Sequence, residues 1–591
     1  MRGSWARCWC GRREALVVGV ILMLAALVHA INMFGCPYYE HDEGHRMARA
    51  WAVLSQGKLD PYMWPYDETP LSYVELAGWV LLTGGFHTFG TAIDSGRALM
   101  LVLQVLSTFC VYGIARSVSR NMTIAALAAL MFGLSPFGIY EHRIVYEDNI
   151  ETFWMLVSLL LVVSGRMSRQ KIIMSAVAMG LSILSKQVTV FVVPAFGCLV
   201  ACRAEGPDRW RDALTWLATV SGLVLLWPLY VALRGELLPG PHPSLIGGAL
   251  WQLSRARDRG LLDPGSLFWR SVRFWRKDEP VLIIGGSVSG ALCLLVRKRY
   301  PDAAMIALSS FCLWAFFGRG GVVARYYVIP LLPLLSLNLA LACHIVASSA
   351  SGQWKSKRRL WRLLLVRDLR TPCAALAAIT MLALGRTPLA LILSFACRLA
   401  ATLIGQHRKV RRRVVRWLLV YDPRLTLATI TLISLIALGY TRPNRSLHHF
   451  DLSQDHFLLW HDQQTAGQRA AIRWVTDHVP TTSTLLVEHF LWTDLHDGAD
   501  GGRVWPRAFP YIRVEHNPRL RQTLLGNDWK SIDYIAGGRS TVRFAFRAPH
   551  PRFAQIVLVA EALKRSSIVA AFDNPAYPVW IHYVVKSDRL R

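Results

Sequence analysis

Three carboxylates fall within four positions, Glu40, Asp42 and Glu43, in the run Tyr38-Tyr39-Glu40-His41-Asp42-Glu43-Gly44-His45. An apolar stretch long enough to cross a bilayer ends just before them, which places the acids at a membrane edge. Neighbouring carboxylates repel, and partial desolvation disfavours charge on each. Both effects raise a carboxylate's pKa towards that of a general base. A solvated acidic loop is the plainer alternative. His41 and His45 are spaced i, i+4, which permits metal ligation, but the run is not H-E-x-x-H and no metal is assigned to it.

Three further groups share that side of the membrane. Asp67-Glu68-Thr69-Pro70 precedes an apolar helix, where acids also serve as N-terminal caps. His142-Arg143-Ile144-Val145-Tyr146-Glu147-Asp148-Asn149 forms a tight loop between two spans, and Asp148 again stands where a cap would. Lys186 interrupts the apolar run from Ile172 to Cys202, and Arg325 opens Arg325-Tyr326-Tyr327 at the same depth. A lysine at membrane depth costs roughly 2.5–3.5 kcal/mol on insertion scales. Snorkelling towards headgroups is the plain reading of both cations. Together, acids could take a proton from a hydroxyl and cations could hold a lipid phosphate. That pairing fits transfer of a group from a lipid phosphate to a hydroxyl.

Such residues need a membrane scaffold to bring them together, and the composition supplies one. Of 591 residues, 53% are hydrophobic and 18% charged, against about 25% charged in soluble domains. Apolar stretches suited to spanning helices occur near 15–35, 97–115, 122–141, 150–164, 172–185, 188–202, 212–233, 281–296, 303–317, 328–347, 373–386, 388–404 and 425–441. The stretch 71–89 carries Glu75 and Gly84-Gly85 and is expected to lie in or dip into the interface. The 66 Lys and Arg against 38 Asp and Glu gather in short loops beside apolar runs, notably 353–372 and 405–424. That is the positive-inside pattern and not a nucleic-acid surface. The N-terminus is then cytoplasmic. Thirteen crossings bring outside a first loop (36–96), a large loop (234–280) and the tail. Residues 358–387 and 412–441 form a near-repeat of a basic collar and its span.

Residues 1–441 read as the membrane module and 442–591 as a soluble α/β domain. In the tail, helical periodicity at 468–479 and within 550–566 alternates with strand patterns at 484–488, 532–536 and 579–585. No cysteine follows Cys397, so no disulfide staples this domain.

In this order, the motifs resemble those of the membrane glycosyltransferases of the GT-C fold. The likeness is to the family-39-like branch, which holds protein O-mannosyltransferases and the aminoarabinose transferases that modify lipid A. Asp42-Glu43 matches an acidic pair in the first outer loop, and Glu68-Thr69-Pro70-Leu71 a motif ending in Pro before a helix. Asp148 matches a loop acid before an aromatic-rich helix, and Gly180 to Lys186 a G-L-x-x-L-x-K segment. The resemblance covers residues 15–200 well and the remainder loosely. Many relatives have Lys-Pro-Pro where this chain has Glu68-Thr69-Pro70.

The resemblance implies a polytopic helical GT-C protein of about thirteen spans with an extracytoplasmic α/β domain, in the plasma (inner) membrane. It implies a sugar donor on a polyprenyl phosphate, a lipid, glycan or protein acceptor, and inversion at the anomeric carbon. Asp42, with Glu43, is expected to act as base, and Asp148 to orient the acceptor or share that role. Lys186, Arg143 and Arg325 are expected at the lipid phosphate, with Glu68 also on the substrate side. The aminoarabinose branch is expected to hold a divalent metal near the acid matching Glu68; its His partner is not identified in this sequence, His242 being one candidate, and no metal is assigned. The rival readings are a lipid or glycolipid flippase and a membrane-anchored binding protein.

Overall fold

The computed structural model describes residues 11–62, 66, 68–204, 208–240, 243–254, 259–348, 458–498, 502–517, 520–546, 557–574 and 577–586. The spans expected at 373–386, 388–404 and 425–441, the loops 353–372 and 405–424, the near-repeat and His242 lie outside the described residues.

The chain is a polytopic α-helical membrane protein with a C-terminal β-sheet domain. Among the described residues, five helices are long and apolar enough to cross a membrane: Arg12–Ala30 (α1), Ala92–Ser119 (α4), Arg209–Leu233 (α10), Pro301–Gly318 (α14) and Arg325–Ser348 (α15). Two bent pairs raise this to seven if each counts as one span. In the first pair, Met122–Gly133 (α5) meets Pro136–Arg143 (α6) at 58°. Ser135 caps α6 by accepting from the Gly138 N–H at 3.0 Å, and Pro136 cannot continue the α5 hydrogen-bond ladder. In the second, Leu267–Asp278 (α12) meets Val281–Leu295 at 112°.

Ten of the thirteen expected spans fall among the described residues, and there the count is corrected to five to seven helices long and apolar enough to cross. Every apolar stretch read between 15 and 347 does contain helix, but several helices are short. Glu147–Val163 (α7) and Arg169–Ser185 (α8) have 17 residues each, and Gln187–Arg203 is a 3-10 turn running into Val193–Arg203 (α9). Leu71–Thr83 (α3) has 13 residues, a length of about 20 Å against a hydrocarbon core of about 30 Å. It ends where Gly84 and Gly85 take φ values of +95° and +129°.

Between α1 and α3 lies His41–Gln56 (α2), an amphipathic helix opened by Glu43 accepting from the Glu40 N–H at 2.9 Å and closed by Gly57 at φ +63°. Its buried face carries Met47, Ala48, Ala50 and Ala52 together with Arg46 and Arg49.

The tail sheet has the order β2-β1-β3-β5-β4. The strands are Leu485–Val487 (β1), Ala508–Pro510 (β2), Tyr534–Gly538 (β3), Ser566–Phe572 (β4) and Val579–Val584 (β5). β1 runs parallel to β2 and β3, while β5 is antiparallel to β3 and β4. Helices Ala466–His478 (α16), His489–Asp497 (α17) and Val557–Lys564 (α18) pack on it. One apolar core runs from the first loop into this sheet, joining Tyr39, Met47, Tyr73 and Ile93 to Val475, Leu485, Trp492 and Val579. At the closest approach, a Cβ on Gly44 would stand 2.3 Å from the backbone of His489, so only glycine lets α2 and α17 meet.

Candidate active site

Asp42 lies in the first turn of α2, where acids are favoured by the helix dipole. Its side chain keeps 42% of its exposure and lies 3.8 Å from Arg46, one turn on. It accepts a hydrogen bond from Tyr326 Oη at 3.3 Å. Arg46 is almost wholly buried. Its Nε donates to Glu147, its Nη2 is 3.8 Å from Glu68, and its guanidinium stands 5.2 Å from the centre of the Tyr146 ring. Arg49, on the same face of α2, donates from Nη1 to Glu68 at 2.6 Å and to Tyr73 Oη at 2.8 Å. Its Nε reaches Asp60 at 3.2 Å. Tyr73 in turn donates to Glu68.

The first turn of α7 faces this helix with Glu147 and Asp148. Both are buried, a position that demands compensation. α8 stops at Ser185 because Lys186 is extended (φ −158°, ψ 136°), and the break delivers the lysine. Its Nζ donates to Asp148 at 2.6 Å and lies 3.3 Å from Glu147. It stands 4.9 and 4.8 Å from the ring centres of Tyr326 and Tyr327. Asp42, Glu68, Asp148 and Lys186 thus meet through Arg46, Glu147 and Tyr326. Five carboxylates here, Asp42, Asp60, Glu68, Glu147 and Asp148, face three cations, Arg46, Arg49 and Lys186. One acid, Asp42, is substantially open to solvent.

Glu43 and Arg143 are engaged elsewhere. Glu43 is fully buried and accepts Nε and Nη2 of Arg97 at 2.9 and 2.7 Å and the Val145 N–H at 3.0 Å. It clamps α2 to α4. Arg143 donates to the carbonyls of Val28, His29, Ile31, Cys36 and Leu459 at 2.8–3.2 Å. Except for that to Leu459, these bonds satisfy carbonyls at and just beyond the end of α1. Arg325 lies at the margin, paired with Glu141 at 2.5 Å and stacked over Tyr140 at 4.3 Å.

Arg46, Arg49 and Glu147 are the partners that motif matching passed over. Their signal was present: Asp42, Arg46 and Arg49 are spaced i, i+4, i+7, which is one helix face, and Glu147 adjoins Asp148.

The tail domain borders this network. Arg513 Nη2 lies 3.2 Å from Asp60 and 2.6 Å from His45 Nε2. The His489 ring meets those of His41 and His45 at 4.2 and 5.1 Å. Burial, then Arg49 and Arg513, hold the His45 pKa well below its ordinary value. Glu40, beside Asp42, is pushed up to about 8 by burial and then by Asp42 and Glu43. Among the described residues, no group of three or more His, Cys, Asp or Glu side chains is arranged to hold a metal ion, and the Glu68 carboxylate is occupied by Arg49 and Tyr73. The residues described do not fit a metal, and no step is routed through one.

Residues 76–231 match the family model described as dolichyl-phosphate-mannose-protein mannosyltransferase. That segment includes Asp148 and Lys186 but not Asp42 or Glu68. Nearly the whole chain superimposes on crystal structures of ArnT from Cupriavidus metallidurans. For the form bound to undecaprenyl phosphate, the TM-score is 0.54 at 14% identity, covering 97% of this chain and 98% of that one. For the apo form the values are 0.52, 15%, 96% and 98%. No curated protein matches. At such identities the likeness is one of fold alone: this chain is similar in architecture to ArnT.

Proposed function

We propose that the chain is a glycosyltransferase that moves a sugar from a polyprenyl-phosphate carrier to an acceptor hydroxyl. The observation that carries this reading is the position of Asp42. It is a half-open carboxylate at the mouth of a buried acid–cation network, built from four segments distant in the chain. The fold supports it, since the solved ArnT with that fold binds undecaprenyl phosphate.

In the proposed reaction Asp42 accepts the acceptor's hydroxyl proton. The oxygen attacks the anomeric carbon while the bond from that carbon to the phosphate oxygen breaks. The electron pair leaves with the polyprenyl phosphate through an oxocarbenium-like transition state, and a single displacement inverts the centre. Arg46 and the Tyr326 hydroxyl hold Asp42 in place. Lys186 balances Asp148 and Glu147, and it is the cation that a donor phosphate would meet beside the Tyr326 and Tyr327 rings. Asp148 orients Lys186 and the acceptor, and Glu68 fixes Arg46 and Arg49. Glu43 and Arg143 hold the scaffold, and Arg325 supports Tyr326. The N-terminus is assigned to the cytoplasm, and the tail domain to the outer face of the plasma membrane.

The test is to incubate membranes with lipid-linked sugars and follow release of polyprenyl phosphate. Wild type is compared with Asp42→Asn and Lys186→Ala at equal abundance. Normal turnover by both variants would overturn the assignment.

A further inference from the structure

The tail-side end of α1 borders a cavity of about 380 Å³. Asn32, Phe34 and Gly35 form one wall, and Gln463, Arg469 and Arg473 the other. Its lining includes two arginines and no carboxylate. Both arginines come from α16, where positions 469 and 473 are spaced i, i+4 and share a helix face.

The walls are built and held. Asn32 donates to the Asp462 carbonyl at 2.8 Å, and Gln463 Nε2 donates to Asn32 Oδ1 at 3.1 Å. A Cβ on Gly35 would lie 2.2 Å from Asn32 Oδ1 and 2.9 Å from Gln463 Oε1, so a larger residue there would displace the two amide side chains of this wall. Arg469 is anchored by Asp94, 2.9 Å from its Nη2, and by the Phe34 carbonyl at 3.0 Å. Arg473 is exposed and forms no ion pair among the described residues.

The cavity's membrane side is equally defined. α1 exposes Leu16, Val20, Met23, Leu24, Leu27 and then Ile31 beyond its end. That spacing is a single apolar stripe, and it leads to the lip of the cavity at Ala30. A ligand seated here would have hydrocarbon along the helix and anionic oxygens beside Arg473, with Arg469, held by Asp94, lining the same cavity.

We propose that this cavity is a binding site for the phosphate headgroup of an anionic membrane lipid on the tail-domain side of the bilayer. It uses none of the residues of the Asp42–Lys186 network and does not depend on the reaction assigned to that network. Its effect is to tie the tail domain, through α16, to the leaflet beside α1.

The experiment uses the full chain in neutral detergent micelles, titrated with phosphatidylglycerol, phosphatidylcholine or inorganic phosphate and read by native mass spectrometry. Saturable retention of phosphatidylglycerol in preference to phosphatidylcholine is expected. Arg473→Gln should weaken it about five-fold, the factor associated with one basic residue at a membrane surface. Arg473→Lys should recover most of the loss. Because Arg473 is exposed and unpaired, the Gln variant is expected to melt as wild type does. Equal binding of the two lipids, or unchanged binding by Arg473→Gln, overturns the proposal. Inorganic phosphate binding as tightly as phosphatidylglycerol overturns the lipid assignment in favour of a free-phosphate site.

Discussion

Replacing Lys186 by Met removes the cation from between two buried acids. With an effective dielectric of about 20, Coulomb's law gives about 6 kcal/mol for the contact at 2.6 Å and about 5 kcal/mol for that at 3.3 Å. Desolvation of three charges offsets more than half of this. Breaking one partner out of a buried pair typically costs about 3–5 kcal/mol, and that is the loss expected for Lys186→Met. Asp148→Asn alone should cost less, because Glu147 remains to balance Lys186. The double variant removes one opposite charge of each sign, so its loss should fall short of the sum by about 2–3 kcal/mol. The assay is a double-mutant cycle on thermal unfolding in detergent, read at a fixed pH. Additivity within about 0.5 kcal/mol would show that Lys186 and Asp148 do not compensate one another, and the network as drawn would be wrong.

Three other outcomes are expected. Asp42→Asn should lower release of polyprenyl phosphate by about 10²–10⁴-fold, the range for loss of a general base, while binding of the carrier lipid is retained; equal loss of both would make Asp42 a binding group. Gly44→Val has no room against His489 and should loosen α17 from α2, seen as faster amide exchange across 489–497; unchanged exchange there would contradict the close approach. His87 lies 3.3 Å from Asp494 and 3.4 Å from Asp497, and although burial lowers its pKa, the two carboxylates outweigh this and raise it to about 10. With an ordinary value of 6.5, its contribution to docking of α17 is complete below about pH 6.5 and is lost as pH rises through about 10. His87→Ala should flatten that dependence, and a wild type whose tail exchange is constant from pH 6.5 to 10 would refute it.

The legible parts of the sequence were those with a local signal. Asp42, Glu68, Asp148 and Lys186 each sit in a short motif, and the fold brings these four residues together around Arg46 and Glu147. Arg143 and Arg325 were chosen on charge and depth alone. Which carbonyls or acids would claim them depends on neighbours remote in the chain, such as Leu459 for Arg143. Glu43 was grouped with Asp42 by adjacency, yet neighbouring residues on a helix diverge by about 100° and can serve different partners. The span count went wrong for a related reason. Apolar runs reveal helices but not their full lengths: α7, α8 and Gln187–Arg203 have 17 residues each, short of the ~20 a crossing needs. In the tail, β1, β3 and β5 carried apolar patterns. β2 is three residues long, and β4 is an edge strand whose Ile568 and Val569 face outward, so neither shows the alternation of a half-buried strand.

The apolar core shared by the first loop and the tail has a consequence for how such a protein could acquire new specificity. A module joined by a hinge can be exchanged without disturbing what lies upstream. Here the tail helps build the wall on which α2 rests, and Gly44 leaves no slack at the seam. Remodelling the surface near His489 or Arg513 would be felt along α2, the helix that carries Asp42, so the two faces of the seam would have to change together.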